Sequence, residues 1–158
     1  MTKTTATPLR YSETDPLAFK VLNEIGIIAQ LARVELERAT GDALSGAGFS
    51  VLNHLARLPG VWAPARLARA FQVTKGAMTN TLQRLEAEGY VKIVDDPKDG
   101  RAKHVTITRK GLKARDAALT GLTPLLKELT KTVGAETFRD LLPGLARLRS
   151  VLDAARDA

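Results

Sequence analysis

Residues 61–110 read as one device: a helix, a turn, a second helix, and a charged hairpin closed by Asp99-Gly100. Its central run is ARLARAFQVTKGAMTNTLQRLEAEGYVKIVDDPKDGRAKHVTITRKG. Pro64 opens the first helix, whose Leu67, Ala68 and Phe71 share one face. Val73 and Thr74 form the turn, and Thr74 is a suitable cap for a helix over 75–88 with Met78, Leu82 and Leu85 inward. Gly89 supplies a left-handed end. Two β runs, 90–94 and 102–108, flank the loop 95–101. A short helix pair with a polar outer face on its second member fits a DNA major groove. A basic hairpin beside it reaches the neighbouring minor groove or backbone.

The rest of the chain is helical. Residues 1–14 are Thr-rich and read as a flexible arm. Asp15-Pro16 offers a cap and a first-turn proline for a helix to about Ala39, with Leu17, Val21, Ile25, Ile28, Ala32 and Leu36 at spacings of three and four, and Gly41 just beyond. Ser45 can cap a helix to about Leu58, with Val51, Leu52 and Leu55 inward, stopped by Pro59-Gly60. Thr108 can cap a long helix beginning at Arg109, with Leu112, Leu119, Leu122, Leu125, Leu126 and Leu129 along it. Pro124 should kink or divide it. A last helix, from about Ala135 to Ala155, carries Phe138, Leu141, Leu142, Leu145, Leu148 and Leu152, and Pro143-Gly144 leaves its early part open. The fold class is therefore mainly α with a small β wing. The expected division is an arm (1–14), an N-terminal dimerisation helix (15–44), a winged helix-turn-helix unit (45–110) and C-terminal dimerisation helices (111–158). The terminal helices carry more apolar stripe than one winged unit can cover, so a homodimer is expected. Two such units about one helical turn of DNA apart would read a palindrome.

Charge supports a polyanionic partner. The formal net charge is +7 over 158 residues, and residues 61–110 hold ten Lys or Arg against five Asp or Glu. Double-stranded DNA is the expected partner. The basic residues cluster in the wing unit and not on an amphipathic helix, which argues against a membrane surface. No run approaches the roughly 20 apolar residues of a membrane span, and the N-terminus lacks an apolar signal core. The expected location is cytoplasmic, on the nucleoid of a prokaryote. The absence of cysteine excludes disulfides and thiol switches. There is no phosphate-binding Gly-Lys loop and no nucleophile with a base, so an enzyme is not expected. His54 and His104 have no metal-ligand spacing, and no cofactor is implied.

Three segments in order, LSGAGFSVLNHLARLPG, LARAFQVTKGAMTNTLQRLEAEGYV and DPKDGRAKHVTITRKG, resemble the MarR family of winged helix-turn-helix transcriptional regulators. The resemblance spans residues 17–152. It departs at Gln72, where glycine is frequent, at Ala63, where a Ser or Thr cap is usual, and at Gly76 and Ala77, where polar side chains are common.

The candidate DNA-binding residues are Thr74, Lys75, Gly76, Thr79, Asn80, Gln83 and Arg84 on the second helix, with Lys98, Arg101 and Lys103 in the wing. Asn and Gln can pair bidentately with adenine, Thr can meet the thymine methyl, and Lys75 can reach phosphate or guanine. Thr74 can also offer its amide to a phosphate. Arg84 either contacts phosphate or pairs with Glu88. The resemblance implies that Arg101 enters the minor groove and that Asp99 orients it, while Asp99 also suits plain turn chemistry. It further implies a small aromatic or anionic effector in a cleft beside the dimer helices. His54 and Trp62 border such a cleft, although Trp62 suits packing better than ligand contact. The expected function is a homodimeric, sequence-specific transcriptional regulator, a repressor released from a palindromic operator by an effector. The alternative is a structural or adaptor winged-helix dimer without specific DNA readout, which Gly76 and Ala77 keep open.

Overall fold

The computed structural model describes residues 11–40, 44–58, 60–100 and 102–156. Most of the expected arm, Gly41, Pro59 and Arg101 lie outside the described residues. The element order is α1 (Leu17–Thr40), α2 (Gly46–Arg57), α3 (Pro64–Ala70), α4 (Lys75–Ala87), β1 (Val91–Asp95), β2 (Lys103–Ile107), α5 (Arg109–Gly121), α6 (Thr123–Val133) and α7 (Ala135–Arg156). It is a mainly helical fold with a two-stranded antiparallel wing.

Side-chain caps set three of the helix starts. Ser45 accepts from the Gly48 amide, Thr74 from that of Ala77, and Thr108 from that of Gly111. Ala63, with no side-chain oxygen, leaves α3 without such a cap, and Pro64 takes the first turn instead. The start of α1 differs from the sequence expectation. Its first amide bond runs from Lys20 to the carbonyl of Pro16, while the Asp15 carboxylate turns back to accept from Ser12. Pro124 divides rather than kinks: α5 ends at Gly121 with Leu122 as its cap, and Pro124 sits in the first turn of α6, where its missing N–H leaves no bond unmade. Pro143 lies inside an unbroken α7.

The core sits within the helix-turn-helix unit. Leu52, Leu67, Leu82, Val51 and Val105 are its fully buried members, supplied by α2, α3, α4 and β2. Burying each such side chain contributes roughly 1.5–3 kcal/mol. By contrast, α6 contributes no buried residue, and α1 and α7 present apolar side chains to solvent in the single subunit. Leu17 is 76% exposed, Ile28 61%, Leu31 64% and Leu142 68%.

Candidate nucleic-acid interface

The polar face of α4 follows from its apolar one. Met78, Leu82 and Leu85 are buried at spacings of four and three, which turns Lys75, Gly76, Thr79, Asn80, Gln83 and Arg84 outward, all of them exposed. Thr74 is exposed at the cap, its Oγ1 occupied by the Ala77 amide at 3.1 Å. The Thr79 hydroxyl donates to the Lys75 carbonyl at 2.8 Å, so its methyl and oxygen lone pairs remain for a partner. Nothing lies within 4 Å of where a Cβ on Gly76 would stand. Its lack of a side chain is therefore not forced by packing. Arg84 makes no ion pair with Glu88 among the described residues, and the Glu88 carbonyl instead accepts from Lys110 Nζ at 2.6 Å. Of the two alternatives for Arg84, the surface pair does not form.

The turn before α4 holds Gln72 at φ +52. This is the position where the sequence departs from the frequent glycine, and the left-handed backbone gives that preference its reason. A non-glycine residue there costs on the order of 1–2 kcal/mol.

The wing is fastened to α4 at three points. The Ile93 amide donates to the Glu86 carboxylate at 3.1 Å. Gly89, at φ +72, ends the helix, and the Tyr90 amide returns to the Leu85 carbonyl at 2.8 Å. Thr108 Oγ1 donates to the Gly89 carbonyl at 2.7 Å while capping α5. Gly111 makes this last junction possible, because a Cβ there would stand 2.1 Å from the Tyr90 carbonyl oxygen. Trp62 adds an isolated antiparallel bridge to Val105, whose amide donates to the Trp62 carbonyl at 2.8 Å.

At the wing tip Asp96 helps to organise the loop. Its carboxylate accepts from the Lys98 amide at 2.7 Å and lies 2.9 Å from His104 Nε2. The Lys98 hydrogen bond, helped by His104, lowers the Asp96 pKa below the ordinary carboxylate value. Sequence spacing alone does not reveal this pair. His104 stands opposite Val94 in the strand register, so its nearness to Asp96 requires the register to be known. Asp99 supplies the turn carbonyl that accepts from Ala102 at 2.8 Å. Lys98 and Lys103 are exposed, and Lys103 Nζ is 3.9 Å from Asp95 across the strands, a loose pair worth little. Between α4 and the wing lies a groove of about 610 Å³ that Thr79, Gln83, Ile93 and Lys103 help to line.

His54 and Trp62 stand away from this face. Their rings meet edge-on at 4.4 Å, and Phe71 lies 5.3 Å from His54. The Trp62 indole N–H donates to the Leu58 carbonyl at 2.9 Å, and its ring rests on the core. Burial lowers the His54 pKa, and Arg57 and Arg66 lower it further.

The architecture has close counterparts among solved structures. The transcriptional regulator BldR from Sulfolobus solfataricus is 30% identical, over 84% of this chain and 94% of its own, with a TM-score of 0.71. A MarR crystal structure is 25% identical, over 93% and 99%, at a TM-score of 0.74. The MarR family model matches residues 44–102, from the core end of the first connection to the wing. The chain belongs to the MarR family. Apo wild-type MarR from E. coli is also similar, at 26% identity over 87% of this chain and 98% of that one, TM-score 0.70. No curated protein matches the sequence. As a MarR-family transcriptional regulator the chain is a DNA-binding protein and not an enzyme. No helix among the described residues is long and apolar enough to cross a membrane.

Proposed function

We propose that this MarR-family chain is a homodimeric repressor that reads a palindromic operator and is released by a small aromatic or anionic effector. The observation that carries the reading is the exposed row Thr79, Asn80 and Gln83, held beside a basic wing by one shared core. In this reading Asn80 and Gln83 read base edges, with Thr79 on a thymine methyl. Thr74, Lys75 and Arg84 hold phosphates, and Gly76 lets the backbone approach closely. Arg101 enters the minor groove, with Lys98 and Lys103 on the flanking backbone and Asp99 setting the turn. Residues 45–110 form the reading unit, and 15–44 with 111–158 the dimer. Two-fold symmetry places the reading helices about 34–36 Å apart.

The effector part draws support from an apolar cavity of about 720 Å³ that reaches from α1 to α4, lined in part by Arg33, Leu36, Phe49, Phe71, Met78 and Leu126. A ligand there touches both a dimer helix and the reading helix. A tenfold preference for the DNA-incompetent arrangement is worth about 1.4 kcal/mol and moves operator affinity by up to that factor per linked site. By linkage, a ligand that releases DNA binds free protein more tightly than DNA-bound protein.

The open space at Gly76 favours one competing reading, a structural or adaptor dimer without specific readout. Titrations on the selected operator and its single-base variants, at several salt concentrations, separate the two. Arg101→Ala should weaken binding on all sequences and shallow the salt slope by about one unit. Asn80→Ala or Gln83→Ala should relax preference at particular base pairs by roughly 1–3 kcal/mol. Uniform losses for the helix variants would remove the readout and leave the adaptor.

A further inference from the structure

A second cleft, between α2, α3 and the C-terminal part of α7, is built from charges that the DNA-reading surface does not use. Arg57, Arg66, Arg69 and Arg149 converge on a cavity of about 360 Å³, with His54 and Trp62 in its wall. No residue of α4 or of the wing lines it. Its volume lies in the small-molecule range, and a DNA duplex cannot enter it.

Each guanidinium brings a positive charge and five N–H donors in a fixed fork. The acidic residue of the lining is Asp153, which lies 3.1 Å from Arg149. Four positive groups less one negative leave three positive charges around the cavity. Arg66 is already placed: its guanidinium lies 4.2 Å from the centre of the Trp62 ring, and that ring is pinned by its bond to Leu58. A stacked arginine loses less conformational freedom when it binds an anion. His54 Nε2 is buried in the same wall without a hydrogen-bond partner.

We propose that this cleft binds a small polyanion, a compound carrying at least two phosphate or carboxylate groups, and that the bound anion ties α7 to α3. The cleft is separate from the apolar cavity invoked for the effector above, and the proposal rests on the repressor reading only for its regulatory consequence. A single carboxylate engages one guanidinium fork and leaves the others facing one another, whereas a di- or trianion matches the excess. The ligand then bridges a helix assigned to the dimer and a helix of the reading unit, so its occupancy bears on the spacing of the two half-site readers.

The test is calorimetric titration of the full chain, without DNA and at fixed ionic strength, using pyrophosphate, citrate and benzoate, with Trp62 fluorescence followed in parallel. Pyrophosphate or citrate should bind at least tenfold more tightly than benzoate and change the fluorescence. The tighter of the two identifies a phosphorylated or a polycarboxylate ligand class. Arg66→Gln and Arg149→Gln should each weaken that binding at least tenfold. Polyanions that bind no better than benzoate overturn the proposal. So does binding that survives Arg149→Gln and is lost in Lys103→Ala, which would place the ion on the DNA-facing surface. Operator affinity measured with and without the bound polyanion reads the regulatory consequence separately. Tight binding with unchanged operator affinity keeps the site and removes its role as the switch.

Discussion

In the proposed dimer, replacing Leu142 by glutamate should separate the subunits. Leu142 lies on α7 and is 68% exposed in the single subunit, in one stripe with Phe138, Leu141 and Leu145. Full burial of a leucine contributes roughly 1.5–3 kcal/mol, so the two-thirds still exposed leave about 1–2 kcal/mol to be gained at an interface. A two-fold axis counts the residue twice, giving about 2–4 kcal/mol before any penalty for burying the new carboxylates. The dimer dissociation constant should therefore rise at least about a hundredfold, the equivalent of roughly 2.7 kcal/mol. Sedimentation equilibrium over a range of protein concentrations reads this directly against the 17.0 kDa subunit. Binding to a palindromic site should weaken with it, because one subunit offers one half-site reader. If Leu142→Glu sediments at twice the subunit mass wherever the parent protein does, α7 does not form the interface and the argument from its exposed stripe is wrong.

Two further substitutions probe the reading unit. Gly111→Ala should destabilise the fold by about 3 kcal/mol, because its Cβ would meet the Tyr90 carbonyl oxygen at 2.1 Å and the junction between wing and α5 would have to open; an unchanged urea midpoint would contradict that geometry. His54→Gln should flatten the pH dependence of stability. Burial and two arginines lower the His54 pKa, so the unfolded chain takes up the proton first as pH falls. The contribution of neutral His54 is complete above about pH 6.5 and declines below it, and urea midpoints between about pH 7 and 5 for parent and variant should diverge accordingly.

Much of the local chemistry was legible in the sequence, although Asp15 turns back to Ser12 instead of capping α1. Ser45, Thr74 and Thr108 each cap the helix they precede, and Pro124 marks a true helix boundary. The burial of Met78, Leu82 and Leu85 follows from their spacing, and with it the outward row that forms the candidate site. Where register or a partner decides, the sequence was silent. The Asp96–His104 contact depends on the pairing of Val94 with His104. The arginine cleft gathers residues from α2, α3 and α7 that are up to 99 positions apart in the chain, and no periodicity links them. The strand limits shifted by one residue because the Tyr90 amide closes the end of α4 before the ladder begins. Pro143 could not be placed because a proline tolerated within a helix and one that ends it look alike in sequence.

In the proposed complex two copies of α4 and its wing read one palindrome. Hydroxyl-radical footprinting of the protein on an operator selected from genomic DNA tests it most directly. Two equivalent protected half-sites, with centres about one helical turn apart and flanking minor-groove protection where the wings lie, are the predicted result. Protection of a single asymmetric half-site, or the same protection on a scrambled sequence, would contradict it.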